Sequence, residues 1–155
     1  MLTAVASLLL YTSTDAQDLP GVKDTVNVNG TVRTIDVYAP SGMGENRPMV
    51  ISAHGMGQDI AYQKKQSRWD QVADTAKFLV VYPQSNGSTW NLDGNGSDVA
   101  FIKAIIKKMS AKYKIDLKRV YMSGFSMGGM LTYSVANNMA DQIAACAPVS
   151  GYPIG

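Results

Sequence analysis

Hydrophobic positions change period several times along the chain, and each change marks an element. From Lys23 to Val28 apolar and polar residues alternate, the run stops at Asn29-Gly30, and alternation resumes from Arg33 to Ala39. Two alternating runs about Asn-Gly predict an antiparallel hairpin. Val32 is out of phase with Ile35 and Val37, which predicts a bulge near it. Pro40 to Pro48 is rich in Gly, Pro and Asn and reads as a loop. Four short, continuous apolar runs follow, at Met49 to Ala53, Phe78 to Tyr82, Arg119 to Ser123 and Ile143 to Val149. Such runs suit strands covered on both faces. Between them the period lengthens. Trp69, Val72, Ala73 and Ala76 share a helical face behind a Ser67/Asp70 capping box. Phe101, Ile102, Ile105, Met109 and Tyr113 form the inner face of a helix opened by Ser97 and Asp98, with Asp98 placed to complement the helix dipole. A third helix-compatible run begins at Met130. Strand, helix, strand in this order requires right-handed crossovers and a parallel sheet, so the fold class is α/β with helices on both faces.

Composition narrows this picture. The chain has 155 residues, enough for one domain with a core of its own. Its 46% hydrophobic and 17% charged content is globular, and a net charge of +2 spread along the chain gives no case for nucleic acid. Lys103, Lys107, Lys108 and Lys112 read as a solvated helix face. Cys146 has no internal partner and, inside an apolar run, is expected to be a small buried thiol. Residues 1–16 look like a signal peptide without its basic n-region: the apolar run Met1 to Tyr11 is too short to span a bilayer, and Thr14-Asp15-Ala16 is a passable cleavage site. A secreted protein with its domain at 17–155 and no membrane span is the expectation. Asn29-Gly30-Thr31, Asn86-Gly87-Ser88 and Asn95-Gly96-Ser97 fit the glycosylation pattern, but turn chemistry accounts for each. Nothing reads as a metal site or phosphate loop, and no cofactor is expected.

The candidate chemistry is concentrated at Gly124-Phe125-Ser126-Met127-Gly128-Gly129. An apolar strand runs into this G-x-S-x-G and a helical run leaves it, which is the strand-elbow-helix context of a serine nucleophile. Glycines at 124 and 128 allow a turn too tight for side chains, so that the Ser126 hydroxyl is pushed clear of the sheet. N–H groups at the start of the helix then point at any oxyanion forming beside it. A serine needs a base, and the base an orienting acid. The only histidine, His54, precedes Ser126, whereas the fold's chain order is nucleophile, acid, histidine. Asp141 follows Ser126 but stands before a strand and reads as a surface loop residue.

Taken in order, His54-Gly55-Met56-Gly57-Gln58, Val80-Val81-Tyr82-Pro83, Trp90-Asn91, Asp98-Val99-Ala100-Phe101-Ile102, Arg119 through Met130, and Ala147-Pro148-Val149-Ser150-Gly151 resemble the polyhydroxybutyrate depolymerase-like esterases, which include the feruloyl and acetylxylan esterases of carbohydrate esterase family 1. The resemblance covers roughly Arg33 to Gly151. It implies an α/β-hydrolase fold and a serine esterase acting on plant polysaccharide esters or polyhydroxyalkanoates. It further implies Ser126 as nucleophile, the N–H groups of Met127 and Met56 as oxyanion donors, and His54 and Trp90 on the substrate side, His54 being a structural residue of the oxyanion loop. Many relatives carry Cys at the position of Met56, which bears on the pocket lining more than on a main-chain donor. The chain stops just after the fourth parallel strand, so the expectation is an N-terminal part of the domain, with the triad acid and histidine outside it and little activity alone. Two other readings remain at this point: a prolyl-oligopeptidase-like serine peptidase, and a shortened, non-catalytic hydrolase.

Overall fold

In the computed structural model, residues 21–154 are described; the expected signal segment lies outside them. Ten elements follow one another: β1 (Val22–Val28), β2 (Thr31–Tyr38), β3 (Met49–Ala53), α1 (Ile60–Ser67), α2 (Trp69–Ala76), β4 (Leu79–Pro83), α3 (Ser97–Tyr113), β5 (Val120–Phe125), α4 (Met127–Asn138) and β6 (Ala145–Val149). The strands form one sheet in the order β1-β2-β4-β3-β5-β6. The β1–β2 and β2–β4 pairs are antiparallel, and the pairs β3–β4, β3–β5 and β5–β6 are parallel.

This order fixes where a site can form. From β3 the chain moves one way across the sheet to β4, and from β5 it moves the other way to β6. Right-handed crossovers then place α1 and α2 on one face and α4 on the other. The loops leaving the neighbouring strands β3 and β5 therefore part to opposite faces, opening a crevice at their carboxyl ends. The larger core lies between the sheet and α3 and α4, where Met49, Ile51 and Ala53 meet Phe101, Ile102, Ile105, Met109 and Leu131. The smaller one, with Tyr38, Val50, Ala73, Phe78, Val80 and Tyr82, lies under α1 and α2.

Several expectations are corrected. The β1–β2 register runs from Val22↔Val37 to Val28↔Thr31 without a bulge. Asn29 and Gly30 both take positive φ, 50° and 87°, which is the primed two-residue turn that keeps a hairpin in step. Val32 is out of phase because it lies on the exposed face of the hairpin. Ser67 ends α1 instead of capping α2; the chain turns at Arg68, which is left-handed at φ 52°, and no side chain caps α2. The α1 helix itself has no apolar stripe, and its one buried residue is Gln63. Cys146 is exposed, because β6 is the outermost strand among the described residues and no further strand flanks it.

Candidate active site

Ser126 occupies the junction between β5 and α4, half-buried, at φ 52° and ψ −116°. An L-residue adopts this conformation only where its surroundings enforce it. The Ser126 N–H donates to Val149 O of β6 at 2.8 Å, and Met130 N–H donates back to Ser126 O at 3.0 Å. Contact on both sides completes the constraint. A Cβ on Gly124 would run into the Gly128 carbonyl, and one on Gly128 into the carbonyl oxygens of Ala53 and His54. The first turn of α4 is thus packed directly on the end of β3.

That packing brings the loop after β3 beside the elbow. Ala53 pairs with Gly124 across the parallel ladder, and the space beside Gly55 is closed by the Phe125 ring. Within the loop, Gly55 N–H donates to Gln58 Oε1 at 2.9 Å and Gly57 N–H to Ser88 O at 2.7 Å. Gly57 is left-handed at φ 70°. Among the described residues, neither the Met56 N–H nor the Met127 N–H takes part in a hydrogen bond. For Met127 this is the orphan donor of a helix start. The Met56 side chain is 64% exposed.

His54 and Trp90 stand differently from the expectation that they face substrate. Both are buried, at 0% and 3% exposure. The His54 ring donates from Nδ1 to Gly55 O at 2.7 Å, while Nε2 accepts from Ser85 N–H and lies 3.1 Å from the Gln84 carboxamide nitrogen. The Gln84 carboxamide oxygen faces the Ile60 N–H, so its nitrogen points to the ring and His54 is neutral with its proton on Nδ1. Burial lowers its pKa below 6.5, outweighing the Gly55 contact, which raises it. Trp90 Nε1 donates to His54 O at 2.7 Å, and the two rings lie 4.8 Å apart. These residues support the loop from beneath. With both nitrogens engaged, His54 cannot take a proton from Ser126.

Two residues escaped the reading of the sequence as partners. Arg33 is 5% exposed, and its guanidinium bonds Asp98 Oδ1 at 2.7 Å and Gln84 O at 3.0 Å while lying 4.1 Å over the Phe101 ring. Asp98 does stand in the first turn of α3 as expected, yet its second oxygen accepts from Asn91 N–H at 2.6 Å. The signal was present, since Arg33 is a charge in the inward phase of Ile35 and Val37. Among the described residues no cluster of His, Cys, Asp and Glu could hold a metal ion, and no helix is long and apolar enough to cross a membrane.

The family model described as Esterase PHB depolymerase matches residues 34–155. The chain is 46% identical over 132 residues to the bifunctional acetylxylan esterase/xylanase XynS20E of Neocallimastix patriciarum, covering 84% of this chain and 20% of that protein. It is 34% identical over 133 residues to poly(3-hydroxyalkanoate) depolymerase C of Paucimonas lemoignei, covering 75% and 30% respectively. The solved acetyl xylan esterase from Aspergillus awamori superposes with a TM-score of 0.78 at 23% identity, over 86% of this chain and 53% of that one. The chain therefore spans about half or less of the proteins it matches. With an elbow serine between β5 and α4, a parallel sheet of this order and a family match over most of its length, the chain belongs to the esterase PHB depolymerase family and has the α/β-hydrolase fold.

Proposed function

We propose that this chain carries the nucleophile and the oxyanion donors of a secreted serine carboxylic ester hydrolase. Its substrates are acetyl or feruloyl esters of polysaccharides, or polyhydroxyalkanoate esters, as the names of its relatives suggest. The observation that carries the reading is the strained Ser126 at φ 52°, followed by the Met127 N–H and packed at the end of β3 whose loop carries the Met56 N–H, both amides without a hydrogen-bond partner among the described residues. Ser126 Oγ attacks the ester carbonyl, and the negative charge developing on its oxygen is received by the N–H groups of Met127 and Met56. Each such donor, fixed beforehand, contributes about 3 kcal/mol to the transition state. The alcohol leaves, and water then releases the acid from the acyl-serine. The base and its orienting acid belong to residues other than the chain's single, fully engaged histidine. Secretion is supported by the apolar run Met1 to Tyr11.

The test is turnover of 4-nitrophenyl acetate and methyl ferulate by the full-length gene product, with a proline-based peptide as the contrasting substrate. Ester turnover that falls by roughly a thousandfold or more in Ser126→Ala is expected. Peptide turnover without ester turnover, or a Ser126→Ala variant as active as the parent, would refute the assignment.

A further inference from the structure

We propose that the buried Arg33–Asp98 ion pair is a positioning device for the oxyanion loop, acting through segment 84–91 to fix the direction of the Met56 N–H. This rests on the assignment of that N–H as an oxyanion donor.

The pair closes the two ends of the segment. Arg33 Nη2 holds the carbonyl of Gln84 at 3.0 Å and Asp98 Oδ1 at 2.7 Å, while Asp98 Oδ2 holds the N–H of Asn91 at 2.6 Å. Both side chains are almost fully enclosed, at 5% and 3% exposure. Apart from the Ser85 hydroxyl, which donates to Gly87 O within the segment at 2.7 Å, the hydrogen bonds between these ends go to the loop that carries Met56. The Gln84 carboxamide brackets that loop, meeting the His54 ring at one end and the Ile60 N–H at the other, each at 3.1 Å. Ser85 N–H donates to the same ring, Ser88 O accepts from the Gly57 N–H, and Trp90 Nε1 donates to the His54 carbonyl. The peptide units on either side of Met56 are therefore held: Gly55 O by the His54 ring and Gly57 N–H by Ser88. Met56 makes no such bond itself, so its N–H points where its neighbours direct it.

Burying this pair costs desolvation energy that a well-packed apolar pair would avoid, so fold stability alone is a poor reason for it. Geometry is the better one. A donor displaced by about 1 Å can lose about a hundredfold in rate, and the fork of Arg33 fixes two acceptors in one plane.

Asp98→Asn and Trp90→Phe test this in the full-length gene product by steady-state kinetics on 4-nitrophenyl acetate and by amide hydrogen exchange. Asp98→Asn keeps the shape and removes the charge; Trp90→Phe removes the bond to His54 O together with part of the buried ring. In each, kcat should fall about tenfold or more with KM changed less than about twofold. Exchange of the Gly57 amide, which is bonded to Ser88 O, should quicken at least about tenfold while the β4 amides keep their protection. Should Asp98→Asn not fold, Arg33→Lys takes its place, keeping the charge and losing the guanidinium that holds both Gln84 O and Asp98. A folded variant with kcat and loop exchange both at the parent's values would overturn the proposal. Ser126→Ala run in parallel separates the two ideas: full activity there removes the hydrolase assignment and this proposal with it, whereas an inactive Ser126→Ala beside unaffected loop variants removes only the proposal.

Discussion

His54 commits both ring nitrogens to the loop it begins, one as donor to Gly55 O and one as acceptor from Ser85 N–H. A second ring proton would face these donors inside a desolvated site, which is why its pKa lies below 6.5. A depressed histidine means that the unfolded chain binds the proton first. Its share of stability is complete above about pH 6.5 and is lost as pH falls from there toward the folded value. Urea unfolding from about pH 7.5 to about pH 5 should show that slope, and a His54→Gln chain, less stable throughout, should show a shallower one. Identical slopes would mean that the ring titrates alike folded and unfolded. At this scale the sequence was informative about Ser126, because a motif dictates local backbone. The resemblance put Trp90 and His54 on the substrate side, and a polar tip says nothing about which way an aromatic body faces. Only the tertiary structure shows that both point inward.

At the scale of elements, α1 illustrates how a helix can be held without an apolar stripe. Asp59 caps it by accepting from Tyr62 N–H at 2.8 Å, and Lys64 then reaches into the sheet, 2.7 Å from Asp36 and 3.3 Å from Asp70. Tyr82 completes the group by donating to Asp70 at 2.9 Å. Two buried carboxylates share one ammonium, so the lysine cannot be removed singly without leaving charge exposed to charge. Lys64→Met is expected to lose about 3 kcal/mol near neutral pH. Burial already raises the pKa of Asp70, and loss of Lys64 raises it further. A raised folded pKa favours the protonated state, so the deficit should shrink as pH falls through it, and unfolding near pH 7 and near pH 5 compares the two. An equal deficit at both would show that the carboxylate is solvated. Periodicity could not reveal α1, since its anchors are Gln63 and Lys64 and the signal it lacks is the apolar one. The strands β3 and β4 and helix α3 were legible because their burial is continuous or one-sided, whereas β6 showed only as an apolar run and is exposed.

For the molecule as a whole, the two margins of the sheet are unlike. The hairpin of β1 and β2 closes one, with Asp24 held between Lys108 and Lys112 of α3, which brings its carboxyl down to about 2. The other margin is β6, where Cys146, Ala147 and Val149 are exposed beside an apolar groove of about 400 Å³ lined by Tyr62, Trp69 and Phe125. Apolar edges of this kind recruit other chains unless a charge is set into them. Ala147→Lys in the 155-residue chain should raise the monomer fraction in size-exclusion chromatography with light scattering, with unchanged circular dichroism. More aggregate instead would show that this margin is not where copies meet. The α/β class and the parallel pairing were readable from the order of elements, but the openness of this margin depends on what lies beside the sheet, which periodicity along the chain does not record.

The adjacency of β3 and β5 has an evolutionary corollary. One run of parallel ladder rungs pairs Ala53 with Gly124 and so joins the starts of two loops that are distant along the polypeptide; the two proposed oxyanion donors, one in each, would then be inherited as a unit, independent of whatever relays protons. On that proposal, lineages exchange the relay, or the walls that choose an acyl group, while the β3–β5 pairing beneath both loops stays the same.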